Sequence, residues 1–287
     1  MKKYKICKIL LVILAIFLCV AFYELLGICV AYKKQPEVSN TTKKETKNGS
    51  WNECSENTER AVIIEKNPEA LLQRVRLIKN AKKEIILSTF AFQSDESGKL
   101  ILGALHDAAD RGVHIRLLVD GMESWIDMEG NPYFYGLSSH ENVEIKLYNK
   151  ANPLKPWKIM GRMHDKYLIA DGKRYILGGR NTYNYFLGDF PGHKNYDRDV
   201  LVVCDEPEKE NSVNQLLEYF ETIWEQEDSD YFHDNKKLAN RKSVKNAVLE
   251  LQNGYQKYFE ENKERICDTD YTDETFETEK IALVSNP

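Results

Sequence analysis

The chain has 287 residues, 42% of them hydrophobic and 30% charged, with 15 Gly and 8 Pro. That mixture supports a sizeable buried core and excludes a collagen-like, mucin-like or wholly disordered chain. The formal net charge is -5, the wrong sign for a protein that coats nucleic acid, and the acid is concentrated late in the chain: residues 205–280 hold 21 acidic and 10 basic side chains.

Residues 1–8 are basic, with Lys2, Lys3, Lys5 and Lys8. Residues 9–32 form an apolar run of 24 positions whose single charge is Glu24, long enough to cross a hydrocarbon core of about 30 Å as a helix. Glu24 stands toward the far end, where a carboxylate costs less than at the midplane. We read the run as an uncleaved single-pass membrane anchor rather than a signal peptide, because it is long and neither Cys19 nor Cys29 follows a small-residue cleavage site. The leading lysines favour the inside and put the body on the extracytoplasmic face of the cell membrane, against the weaker pull of Lys33 and Lys34. Cys54, Cys204 and Cys267 remain for the body, a number that cannot all pair within one chain, and no cysteine spacing resembles a zinc site.

Residues 33–60 are polar, rich in Asn, Thr and Ser, and read as a linker. Asn67-Pro68 then suits a helix cap and first turn, followed by Leu71, Leu72, Val75 and Ile78 at helical spacing. Residues 85–89 are apolar on both faces, as in a strand covered on both sides. Leu102, Leu105 and Ala109 mark a helix stopping near Gly112, and Val113, Ile115, Leu117 and Val119 alternate as a strand. Residues 121–140 read as an irregular excursion with short helices, 143–147 as a strand, and 152–160 as a loop with two prolines and Trp157.

Two short strands follow, 167–170 and 175–177, on either side of an Asp171-Gly172 turn. A strand over 200–203 comes next, then a helix with Val213, Leu216, Leu217, Phe220 and Trp224 on one face, and a second long helix over 242–261. A final apolar scrap, 281–284, resembles a strand beginning. This alternation of helix and strand predicts an α/β layered domain.

The densest chemistry lies in MHDKYLIADGKRYILGGRN, residues 163–181. In an extended segment His164 and Lys166 share a face while Asp165 points away. An imidazole beside an ammonium can attack, or protonate, a phosphate whose charge the lysine holds. Gly178, Gly179 and Asn181 let an anionic substrate approach the backbone and meet an amide donor. Taken singly, the same residues fit a solvent-facing His and Lys on an ordinary hairpin. His106, His114 and His140 stand in ordinary helix, strand and loop contexts.

His-x-Lys, four residues, Asp, six residues and Gly-Gly-x-Asn resembles the signature of the phospholipase D superfamily, which holds phospholipases, cardiolipin synthases, related phosphatidyltransferases and some nucleases. STFAFQSDESG, LHDAADRGVHIRLLVDG, NVEIKLYN and DRDVLVV resemble the family's flanking segments, so the likeness covers roughly 61–226. It implies a layered α-β-α domain with a central mixed sheet behind one N-terminal transmembrane helix, and a phosphodiesterase or phosphatidyltransferase working through phosphohistidine with no metal and no cofactor.

By that resemblance His164 is the nucleophile, Lys166 and Asn181 hold the non-bridging oxygens, and Asp171 supports the geometry. Gly179 stands where the family often has Ser, which removes a hydroxyl donor; Arg180 either compensates or points into solvent. An acid near Asp199 either orients a histidine or forms a salt-bridged strand entrance. His193 and Lys194, in GDFPGHKNYDRD, are candidates for binding a phosphate head group.

The family site needs two His-x-Lys motifs, and this chain carries one: His193 and His233 are each followed at plus two by Asn. We therefore expect a homodimer or a second half from elsewhere, with residues 227–287 an acidic helical extension leading toward a missing partner half of a truncated lipid enzyme. The expected partners are phospholipid and membrane; the acidic tail argues against nucleic acid. A single-motif dimeric nuclease and an inactive membrane protein that acts by binding are the competing readings.

Overall fold

A computed structural model of the chain describes residues 2–33, 59–204, 211–233, 235–278 and 281–283, together with 40, 43 and 44. The apolar run lies in one helix, α1 (Lys2–Lys33), long and apolar enough to cross a membrane. The body opens with β1 (Glu59–Ile64), α2 (Asn67–Asn80), β2 (Glu84–Thr89), α3 (Glu96–Asp110) and β3 (His114–Asp120). Two short helices, α4 (Gly121–Asp127) and α5 (Pro132–Ser138), fill the excursion before β4 (Val143–Tyr148). Then come β5 (Lys166–Ala170), β6 (Arg174–Gly178), β7 (Asp199–Cys204), α6 (Ser212–Trp224), β8 (Ser229–Tyr231), α7 (Lys242–Glu261), α8 (Lys263–Cys267) and β9 (Phe276–Thr278).

The strands form one mixed sheet in the order β8-β4-β3-β2-β5-β6-β7-β1-β9. β2, β3 and β4 run parallel through helical crossovers, whereas β5, β6 and β7 join antiparallel. Successive side chains along each strand alternate between faces. Ile85, Leu87, Leu117, Leu168 and Leu201 enter a core shared with α2, α3 and α7, while Ile86, Leu118, Ile169 and Val202 enter a second core with Phe220 and Trp224 of α6. Both faces being apolar, the sheet is covered on both sides, which gives the layered α/β/α arrangement.

The three-residue β5–β6 connection holds Asp171 and Gly172 at φ +55° and +62°, the consecutive left-handed pair of a type I′ turn, closed by the Lys173 amide donating to the Ala170 carbonyl at 3.1 Å. Gly112, at φ +88°, ends the α3 region as expected.

Several expectations change. Asn67 is the first residue of α2 rather than its cap, because its side chain is used elsewhere: Nδ2 donates to the Asn195 carbonyl at 2.8 Å and Oδ1 accepts from Arg180. The region after residue 226, expected as an extension, is built into the same body. β8 pairs with β4, β9 pairs with β1, and α7 packs on α3 and α5. The fully buried Arg76 guanidinium clamps this return, donating to the Asp268 and Asp270 carbonyls at 2.8 and 2.7 Å and lying 3.9 Å from the Tyr271 ring centroid. The described part of the expected final strand, 281–283, is irregular; Ile281 and Leu283 pack against the α6 core, and the Leu283 amide donates to Gln215 at 2.9 Å.

Candidate active site

The register of the sheet gathers the motif. Lys166 opens β5 opposite Thr89, the last residue of β2, so the residues that follow β2 meet those that precede β5. Phe90 sits at the centre of this meeting. The His164 ring stands edge-on to it with centroids 4.8 Å apart, the Lys166 Nζ lies 5.3 Å from its centroid and the Arg162 guanidinium 5.0 Å. An imidazole and two cations thus gather around one aromatic ring, with the ring quadrupole attracting the ammonium and the guanidinium.

Asn181 reaches the same end. Its Oδ1 accepts the Ala91 amide at 3.2 Å, tying the segment after β6 to the segment after β2, while its Nδ2 has no hydrogen-bond partner among the described residues. Phe92 and Thr182 form a bridge just beyond. The amide is thereby oriented, with donor capacity to spare.

His164 is exposed to solvent and Lys166 is buried. The Lys166 Nζ donates to the His164 carbonyl at 2.6 Å, which fixes the turn of chain between them. Burial pulls this lysine down to about 8, outweighing the charges of Asp165 and Asp197. His164 is also held below its ordinary value, first by desolvation along its covered flank and then by the Lys166 charge, against the carboxylates of Asp165 and Asp120. At neutral pH the pair is therefore a neutral imidazole beside a charged ammonium, the combination a nucleophile facing a phosphate requires. Asp165 points to the other side of the sheet, where it accepts from the Tyr219 hydroxyl at 2.8 Å.

Three contributors escape a motif search. Asp120 closes β3, is buried, accepts from Arg162 at 2.7–3.0 Å and from the Met163 amide at 3.1 Å, and caps α4 through the Met122 and Glu123 amides. It sets the path of the chain immediately before His164. Asp197 is the second: a Cβ at position 179 would fall on its carboxylate, so Gly179 makes room for an acid where the family pattern often has a hydroxyl. Phe90 is the third. A carboxylate ending a strand just before Gly121 is the one local signal for Asp120; Phe90 lies more than 70 residues from the basic groups around it, and Asp197 gains its place only through the fold that sets it against Gly179.

Other expected residues lie elsewhere. Asp171 is at the opposite end of β5, where its carboxylate accepts the amides of Lys82, Lys83 and Glu84 at 2.7–3.1 Å, and it is not brought to the His164 end. Arg180 neither replaces a hydroxyl nor points into solvent. It is buried, donating to Asn67 and to the Ile64 and Glu65 carbonyls at 2.7–3.1 Å, and pairs with Asp199 at 3.2 Å. Asp199 also accepts from Arg74 at 2.9 Å, so it balances two buried guanidiniums rather than orienting a histidine. Gly178 is required beside it, since a Cβ there would strike the Asp199 carboxylate and the Arg198 carbonyl. His193 is exposed, 5.5 Å from the Tyr185 ring, and Lys194 donates to the Asn184 carbonyl at 2.7 Å.

A family model described as "Cardiolipin synthase, PLD-like domain" matches residues 74–224, just over half of the chain. The chain belongs to the phospholipase D superfamily. Among relatives of this phospholipase D-like chain, an uncharacterized protein of Helicobacter pylori is 30% identical over 212 residues, covering 69% of this chain and 39% of that one. Cardiolipin synthase C of Escherichia coli is 29% identical over 171 residues, covering 55% of this chain and 34% of that one. The chain thus spans well under half the length of these relatives. Phosphatidylserine synthase of Haemophilus influenzae shares the fold, with a TM-score of 0.50 at 18% identity over 77% of this chain and 48% of that chain.

Proposed function

We propose that this chain supplies one catalytic half of a membrane-anchored phospholipase D-type phosphodiesterase or phosphatidyltransferase acting on phospholipids. The observation that carries the proposal is the convergence of an exposed His164 and the charged Lys166 and Arg162 on one aromatic ring, with Asn181 tied to the same end of the sheet.

In the proposed reaction, an imidazole nitrogen of His164 attacks phosphorus. The bond from phosphorus to the leaving alcohol breaks, and that alcohol takes a proton from the histidine of a second His-x-Lys motif, supplied by another copy of this chain or by a separate half. An acceptor alcohol, or water, gives its proton back to that histidine as it attacks phosphorus, and the phosphorus–nitrogen bond breaks to free His164. Lys166 and Asn181 hold the non-bridging oxygens as charge develops on them. Asp199, Arg180 and Asp171 serve as supports in this proposal; His193 and Lys194 are its candidate head-group contacts. The apolar α1 favours lipid over soluble phosphodiesters, and its leading lysines favour an extracytoplasmic body.

Full-length protein reconstituted in vesicles of phosphatidylglycerol should release or transfer the head group, alone if two copies complete the site, and His164→Ala should do neither. Equal turnover by His164→Ala would reject the proposal.

A further inference from the structure

We propose that α4 and the loop preceding His164 form a membrane-docking surface that seats the body on an anionic phospholipid interface beside its own anchor. Five large apolar side chains stand out from this part of the body: Trp125 and Ile126 on α4, and Leu154, Trp157 and Met160 on the loop, each between 46% and 77% exposed. Lys150, Lys155, Lys158 and Arg162 are interleaved with the loop's apolar residues along the chain; Lys158 pairs with Asp228 and Arg162 with Asp120 and Glu123, while Lys155 has no ion pair among the described residues. α4 and the loop are one surface, because both line the same two hollows, of about 200 and 500 Å³: Met122 faces Lys150 and Pro153 across the first, and Trp125 faces them across the second.

The anchor helix identifies the occupant. The Tyr23 hydroxyl donates to the Leu154 carbonyl at 2.8 Å, and Gly27 is buried against Pro156, whose ring a Cβ would strike. Crossing the hydrocarbon core takes about 20 residues at about 1.5 Å each. A span opening at Ile9 therefore closes near Ile28, and Tyr23 and Gly27 lie within about 8 Å of the far boundary. A loop held there meets the zone between acyl chains and head groups, where Trp is favoured and Lys and Arg extend toward phosphate. Glu24, the one charge of the apolar run, borders the smaller hollow together with Lys155 and Lys158. Arg162 stands two residues before His164, so docking brings the imidazole to the level of lipid phosphates.

This inference rests on the lipid reading only for its use, and its test reads position rather than turnover. Full-length protein is placed in lipid nanodiscs whose acyl chains carry bromine, a short-range quencher of tryptophan fluorescence. In phosphatidylglycerol discs, with Trp51→Phe as the common background, the Trp125→Phe/Trp157→Phe variant should lose at least half of the quenching, since the remaining Trp224 is buried in the body. Quenching of the wild type should be at least twofold weaker in phosphatidylcholine discs, and Lys155→Gln should narrow that difference. Unchanged quenching in the double variant would overturn the proposal. So would a fall in the mass of the assembly by light scattering in that variant, which would make the patch a contact between chains.

Discussion

The two ends of β5 treat charge in opposite ways. At the Lys166 end an ammonium is buried with one hydrogen bond among the described residues, to a backbone carbonyl, and burial lowers its affinity for a proton. At the Asp171 end a carboxylate receives three backbone amides and locks the start of β2 to the β5–β6 turn. The first arrangement leaves charge unsatisfied in the free protein and available to a ligand; the second consumes its charge in holding the fold. Two residues of one sequence signature, five positions apart, are therefore a strut and, on the proposed function, a binding group.

The comparison can be broken by removing each charge. Lys166→Met should cut turnover about 10²–10³-fold, the loss expected of one donor to developing charge, while raising the melting temperature. The sign follows from linkage. A lysine that titrates near 8 when folded and near its ordinary value when unfolded costs stability below pH 8, and the cost fades as pH rises above 8 toward that ordinary value. A drop in melting temperature in Lys166→Met at pH 7 would contradict this account.

Asp199→Asn should instead destabilise by about 3–5 kcal/mol in urea denaturation, because it strands the guanidiniums of Arg74 and Arg180 in the core. Asp171→Ala should cost about 1–3 kcal/mol through the unpaired amides, with turnover per folded molecule unchanged. The smallest effect is on pH dependence. Turnover should fall as pH rises through about 8 as Lys166 loses its proton, and Lys166→Arg, if active, should move that fall upward; an unmoved limb would assign it to another group.

The same contrast explains how much was legible in the sequence. Period and turn chemistry located β2 to β7, the Asp171-Gly172 turn and the helix over 242–261, because those signals are local, but not β1, β8 or β9. The His164–Lys166 pairing was legible for the same reason, as two positions apart on an extended segment share a face. What local pattern could not give was partnership over distance. Arg180 follows two glycines and looks free in sequence, yet its partners Asn67 and Ile64 lie 113 and 116 residues away. Phe90 and Asp197 carry no signature of their own, Asp120 only that of a carboxylate at a strand end, and all three gain a role only when the sheet brings strand ends together. The return of residues 262–278 onto β1 and α2 was hidden behind an acidic composition that reads as solvated, although Glu274 serves the buried Arg76 at 3.0 Å.

The central claim is that His164 is a nucleophile toward lipid phosphorus. Intact-mass analysis of full-length protein, after brief incubation with short-chain phosphatidylglycerol, tests it most directly. The account predicts an acid-labile phosphatidyl adduct in the wild type, mapped to His164 and absent from His164→Ala. An adduct on a different residue, or turnover of the same lipid with no adduct that depends on His164, would contradict it.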